Sequence, residues 1–237
     1  MELWAAIDLM GGSAVTLVQG RPGEKTVWAE DPLLLARRWQ DEGADGLHLI
    51  DLDAALGTGS NRETALRIIR ETGLPVEVGG GVRSVESARA WLGDGAARII
   101  LGTLAFSDPT AGRSLVETHG ADRVVVAADY RDGMIVTRGW TESQGVSVLA
   151  GAKNLEEQGF VNLLTTAVGR DGTSAGPDLA TVRELAATTR MKVIASGGIR
   201  DALDVEELAR AGACGAVLGR ALYEGTVRLT DAKRRLT

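Results

Sequence analysis

Short apolar runs alternate along this chain with longer stretches in which apolar positions recur every three or four residues. The runs at residues 3–9, 46–51, 75–78, 98–101, 123–128, 162–166, 192–195 and 216–218 are rich in Val, Ile, Leu and Ala. Near-continuous apolar character of that length suits parallel strands covered on both faces. The intervening stretches at 33–42, 62–72, 85–92, 110–118, 147–158, 179–187 and 202–211 read as amphipathic helices; in the first, Leu33, Leu34, Ala36, Arg37 and Trp39 mix an apolar and a charged face. Asn61, Ser84, Asp178 and Asp201 stand where N-caps belong. Strands alternating with helices eight times over predict an α/β chain folded as a closed (β/α)8 TIM barrel, with an open doubly wound sheet as the alternative.

The pattern is also written twice. Residues 6–9 (Ala-Ile-Asp-Leu) and 126–130 (Val-Ala-Ala-Asp-Tyr) each carry an acid at the end of an apolar run. Val-Gly-Gly-Gly-Val-Arg at 78–83 returns as Ala-Ser-Gly-Gly-Ile-Arg at 195–200, and Ile-Ile-Leu-Gly-Thr at 99–103 as Ala-Val-Leu-Gly-Arg at 216–220. The offset is about 120 residues, far above a solenoid period. It predicts a single domain over 1–237 made of two half-barrels, about 1–120 and 121–237, a repeat that favours closure over an open sheet.

Composition narrows the function classes. A chain of 237 residues with formal net charge −6 shows no basic stripe of the kind nonspecific nucleic-acid binding needs. Lys233, Arg234 and Arg235 read as a solvated helix end, and Cys214 as a buried structural thiol beside an apolar strand. One cysteine excludes an internal disulfide, and no Cys/His cluster suggests zinc. With no signal peptide pattern and no apolar stretch of about 20 residues, the expectation is a cytoplasmic protein without a membrane partner.

In such barrels chemistry gathers at the carboxyl ends of the strands. There the sequence places Asp8, Asp51, Gly79 to Gly81, Gly102 and Thr103, Asp129, Thr166, Gly197 and Gly198, and Gly219 and Arg220. Strand-end glycines let backbone N–H groups approach an anion, and a following helix adds its dipole. One such turn is weak evidence for phosphate, since tight turns need glycine anyway. Two pairs of turns, after strands 3 and 4 and again after 7 and 8, imply two phosphate cradles and a bisphosphorylated small molecule. Asp8 and Asp129 would then face each other as general base and general acid. Without a Gly-x-Gly-x-x-Gly fingerprint or a metal cluster, acid–base chemistry without cofactor or metal is expected.

Ala6–Leu9, His48–Asp53, Val78–Arg83, Leu101–Thr103, Arg138–Trp140, Arg170–Thr173, Ala195–Gly198 and Ala221–Gly225 together resemble the HisA family, the ProFAR isomerases of histidine biosynthesis. The resemblance runs along nearly the whole chain. It implies a metal-free, coenzyme-free Amadori rearrangement of a phosphoribosylformimino-AICAR ribonucleotide from aminoaldose to aminoketose. It also implies Asp8 as general base and Asp129 as general acid, with Thr166 and Asp171 as supporting polar groups. Gly81, Gly102 and Thr103 match one phosphate site, and Gly176, Gly197, Gly198, Gly219 and Arg220 the other, with Arg83 as a further substrate-binding candidate. Trp140 looks like the residue, on a mobile loop after strand 5, that stacks on the substrate base. His48 is a further candidate substrate contact, and a monomer is expected.

Two positions depart from the family. Thr16 stands where many members carry Arg, and Ala167 replaces an acidic residue after the strand-6 Thr. Loss of that Arg weakens the alternative of a dual isomerase that also serves phosphoribosylanthranilate. The sister cyclase of imidazole glycerol phosphate synthesis shares the aspartates and phosphate sites. It differs by a Cys before the first-strand Leu-Asp and a first-loop Lys, where this chain has Ala6-Ile7 and Thr16. A catalytically silent phosphate-binding barrel is disfavoured by retention of both Asp8 and Asp129.

Overall fold

The computed structural model describes residues 1–236, so Thr237, the last residue of the expected domain, lies outside the described residues. Eight parallel strands form the frame: β1 (Glu2–Met10), β2 (Gly46–Asp51), β3 (Val76–Gly79), β4 (Arg98–Leu101), β5 (Val124–Ala127), β6 (Asn162–Thr166), β7 (Lys192–Ser196) and β8 (Gly215–Leu218). Each pairs with the next, and β8 returns to β1 with Glu2 opposite Gly215 and Ala5 opposite Leu218. The sheet is closed, so the barrel expectation holds and the open sheet falls.

Strand alternation divides each apolar run between two cores. Leu3, Ile7, Leu47 and Leu49 face outward and pack with helix residues such as Trp39 and Ile68. Trp4, Ile100, Val125, Leu164, Ile194 and Val217 fill the barrel, with Ala6, Ile50 and Ala127 above them. Trp4 can plug this interior because Gly46 beside it has no side chain; a Cβ there would lie 2.3 Å from the indole. The inward series on β1 runs Trp4, Ala6, Asp8, and that on β5 runs Val125, Ala127 and continues to Asp129 just past the strand's end. Parity therefore delivers both aspartates to the inside of the mouth.

Ser84, Asp178 and Asp201 cap their helices through Ser87 N at 3.2 Å, Thr181 N at 3.3 Å and Leu203 N at 2.9 Å. Asn61 does not cap the helix Arg62–Glu71. Its amide donates instead to Asp51 Oδ1 (2.7 Å), Asp53 Oδ2 (2.8 Å) and the Leu9 carbonyl (3.2 Å), and its oxygen accepts from Gly12 N (2.8 Å). Buried beneath the first loop, the amide does more by joining β1 to β2 than by satisfying one exposed N–H. Asp51 is consumed in the same network and caps the short helix Leu52–Leu56 through Ala54 N at 3.0 Å, so this strand-end acid is structural.

One further expectation is corrected. Cys214 is exposed, in the turn ahead of β8, because its neighbours Ala213 and Gly215 occupy the buried positions. The basic C-terminus is the solvated helix end expected: at the end of the helix Leu229–Arg234, Arg234 and Arg235 are exposed and Lys233 half-buried, with Lys233 pairing with Asp45 at 2.6 Å and Arg235 with Glu206 at 2.9 Å.

Two loops carry strands of their own. After β1, the segments Ser13–Val18 and Arg21–Ala29 form an antiparallel hairpin that extends the sheet. Its outer strand is mostly exposed and lacks alternation, which hid it from the hydrophobic pattern. Trp28 anchors it, with its ring 5.2 Å from Tyr223, whose hydroxyl donates to the Ala6 carbonyl at 2.7 Å. After β5, the segments Tyr130–Arg131, Met134–Thr137 and Glu142–Ser147 make a separate three-stranded sheet. No helix among the described residues is long and apolar enough to cross a membrane.

Candidate active site

β1 and β5 stand four strands apart in a ring of eight, so Asp8 and Asp129 approach from opposite walls of the carboxyl-end mouth. Burial pushes the Asp8 carboxyl up to about 6, and the charge of His48 partly opposes this. Burial likewise raises Asp129, against hydrogen bonds from Thr166 and from the Trp140 indole. Thr166, the last residue of β6, donates its backbone N–H to Asp129 Oδ1 at 3.2 Å. Trp140 Nε1 donates to Oδ2 at 2.8 Å.

Asp171, in the turn after β6, completes a carboxylate triangle. Burial, then the charges of Asp8 and Asp129, lift its pKa to about 7. Three acids in one pocket load the fold electrostatically. Below about pH 4 Asp171 is protonated in folded and unfolded chains alike, and no penalty arises. As pH rises from about 4 towards 7 the unfolded chain releases this proton while the folded one retains it, so its contribution to stability falls. Asp171→Asn is therefore expected to stabilise the protein by on the order of a few kcal/mol at pH 8, and by little at pH 4. Thermal melts of both proteins at the two pH values check this; an equal shift at both would refute it.

His48 points inward from β2, with its Nδ1 2.6 Å from Glu77 Oε1. Burial alone disfavours the imidazolium, but the hydrogen bond and charge of Glu77, with the charges of Asp8 and Asp129, outweigh it and raise the His48 pKa. The sequence reading missed Glu77. The signal was available, since an acid between two valines of a four-residue strand has no solvent face to occupy.

The glycine turns adopt matched conformations. Gly80 and Gly81 lie at φ +86 and +72, and Gly197 and Gly198 at +89 and +85. Gly102 and Gly219 share another unusual backbone, φ −90, ψ −104 and φ −107, ψ −110, ahead of the short helices Thr103–Ser107 and Arg220–Tyr223. Neither helix receives a side-chain cap, so no side chain takes up the first backbone N–H groups of either. Gly176 donates its N–H to the Gly198 carbonyl at 2.8 Å, joining the turn after β7 to the loop after β6.

Not every expected contact side chain is free. Arg220 bonds Glu224 Oε1 and the Gly172 carbonyl, both at 2.6 Å. Arg83 donates to the Ala55 carbonyl at 2.9 Å. Thr103 Oγ1 accepts from Arg138 N at 3.1 Å.

Three loops meet over the acids. Gln19, at the hairpin tip, donates its N–H to the Asp171 carbonyl at 3.1 Å and its side-chain amide to the Gly169 carbonyl at 2.9 Å. Gly20 lies against the Trp140 ring, where a Cβ would meet it at 2.6 Å. Trp140 itself sits in the turn between Met134–Thr137 and Glu142–Ser147 at φ +68, in the left-handed region. A cavity of about 430 Å³ opens at the opposite, amino-terminal mouth among Glu2, Arg98, Lys192 and Cys214, and Asp8, Asp129 and Asp171 do not line it.

The chain is similar to known proteins along nearly its whole length. A family described as "Histidine biosynthesis protein" matches residues 2–228. A protein of Nitrosopumilus maritimus (strain SCM1) is 40% identical over 99% of both chains. One of Moorella thermoacetica is 42% identical over 98% of this chain and 97% of its own. One of Deinococcus radiodurans is 43% identical over 93% of both. All three are named 1-(5-phosphoribosyl)-5-((5-phosphoribosylamino)methylideneamino) imidazole-4-carboxamide isomerase. Similarity of this extent leaves no strand of the barrel and none of the mouth loops outside the match, and the chain belongs to the histidine biosynthesis protein family.

Proposed function

We propose that this chain isomerises ProFAR, the aminoaldose named in its relatives' activity, to the aminoketose by an Amadori rearrangement. The observation that carries the reading is the pair of inward-facing carboxylates at the ends of β1 and β5, both raised above the usual aspartate range by burial. A general acid must hold a proton near neutrality and a general base must be able to take one, and raised carboxyl pKa values serve both roles. Asp129 donates a proton to the ribose ring oxygen, the C1–O bond breaks, and a protonated Schiff base forms. Asp8 removes the C2 proton, and the electron pair left behind gives an enolamine that tautomerises to the ketose. Asp171 and Thr166 support Asp129, and His48 offers positive charge to all three acids.

The uncapped helix starts at Thr103 and Arg220, with the turns at Gly81 and at Gly197 and Gly198, suit the two phosphates of the substrate. Gly176 braces the second cradle. Matched turns support a single barrel built of two like halves, about 1–120 and 121–237. Trp140 replaces its bond to Asp129 with stacking on the substrate base once substrate enters.

Substrate breadth follows from the first loop. Thr16 Oγ1 accepts from Trp28 Nε1 at 2.9 Å, so this position braces the hairpin and offers no cation to a carboxylate. Steady-state assays are expected to show turnover of ProFAR and little or none of phosphoribosylanthranilate, whose single phosphate fills one cradle. Comparable kcat/KM on both would replace this reading with the dual isomerase; no turnover of ProFAR would refute it.

A further inference from the structure

Glu77 is fully buried, on an inward position of β3, and no step of the proposed reaction uses it. It stands in register between His48 on β2 and Arg98 on β4. Its two oxygens are unequal. Oε1 lies 2.6 Å from His48 Nδ1, whereas Oε2 has no hydrogen-bond partner and is 3.9 Å from the Arg98 guanidinium. Arg98 is itself committed to Glu2, at 3.2 Å, and to the face of Trp4, 4.6 Å from the ring centroid. A buried carboxylate with one idle oxygen is costly to fold around, and the contact it does make indicates what that cost supports.

We propose that Glu77 is a positioning residue of the isomerase, holding the His48 ring by Nδ1 and keeping it an imidazolium, so that a fixed positive charge faces the acid–base pair. The proposal rests on the reading of Asp8 and Asp129 as that pair. The groups facing His48 are Glu77 from β3, Asp8 from β1, Asp129 from beyond β5 and Asp171 from the loop after β6. Beyond them, Arg98 of β4 faces Glu77, and Tyr223 lies near Asp8. His48 lowers the proton affinity of all three aspartates. Its charge thus keeps the base ionised at neutral pH, and Glu77 keeps the charge. Glu77 reaches the reacting carboxylates through a neighbour and touches no substrate.

The test uses Glu77→Gln, which preserves shape and removes charge. The chain has two histidines, so labelled His48 is distinguished from His119 by comparison with His48→Gln. In Glu77→Gln the His48 titration is expected to fall by about one unit or more, and the acid limb of kcat/KM to move upward by about half a unit to one unit. KM should change less than kcat, because the phosphate cradles are untouched. On a His48→Gln background, Glu77→Gln should leave the acid limb where His48→Gln has put it. An unchanged His48 titration, or an equal effect of Glu77→Gln with and without His48, overturns the proposal. If Glu77→Gln fails to fold, His48→Gln alone decides: an acid limb that stays in place overturns it. The titration is read without turnover, so failure of the acid–base reading would show separately, as a normal His48 shift with Asp8→Asn retaining activity.

Discussion

Asp8→Asn and Asp129→Asn are each expected to lower kcat by about 10²- to 10⁴-fold, the usual contribution of a positioned acid or base. The loss should fall mainly on kcat, because the glycine turns that would hold the phosphates follow β3, β4, β7 and β8, not β1 or β5. The pH profile adds a sign. Asp8, raised to about 6, must be ionised to take the C2 proton, so kcat/KM of the parent enzyme should climb as pH rises through about 6. Asp8→Asn has no carboxylate to ionise and should lose that limb. Asp129→Asn also sets an amide NH2 against either Thr166 N or Trp140 Nε1 in place of a carboxyl oxygen, which would loosen the loop after β5. Steady-state kinetics across pH 5 to 9 measure all of this, and near-native kcat in either variant would mean the acid–base pair is misassigned.

Gly198→Ala should be strongly damaging to the second phosphate region. At φ +85 an L side chain is strained, and the new Cβ would stand 2.4 Å from the Gly176 carbonyl oxygen. That oxygen belongs to backbone, so no rotamer can relieve the clash; the turn after β7 must separate from the loop after β6. The same displacement breaks the 2.8 Å bond from Gly176 N to the Gly198 carbonyl. The expected result is a loss of about 1–3 kcal/mol of stability and a rise in KM for ProFAR of roughly tenfold or more. Gly225→Ala gives the control, since that glycine has a positive φ of +73 but open space around it. Equal effects from both would leave strain alone as the cause and remove the argument for a close-packed cradle.

Much of the frame is legible in one dimension. Buried parallel strands need apolar side chains on both faces, so their runs stand out, and three of the eight, at 46–51, 98–101 and 162–166, have the boundaries read from the pattern. Asp8 and Asp129 are legible for the same reason: a charge that ends an apolar run, at an inward parity, has few places to go but the mouth. Ser84, Asp178 and Asp201 announce their caps because capping depends on neighbours two or three residues away.

What escaped the sequence depends on partners remote in the chain. Asn61 has the local context of a cap, yet bonds to Leu9 and Gly12, about fifty residues earlier, outweigh that context once β1 lies beside β2. Asp51 has the same strand-end signature as Asp8 and is spent on Asn61 and a helix start. Glu77 gains its meaning only when strand register sets it opposite His48. Closure of the ring brings Asp171 towards Asp8 and Asp129, and their mutual repulsion, added to burial, raises its proton affinity. Local sequence sets periodicity and caps, because these rest on backbone geometry within a few residues. Which acids stay free to react is set by long-range contact, because burial, charge and hydrogen-bond supply depend on what the fold brings alongside.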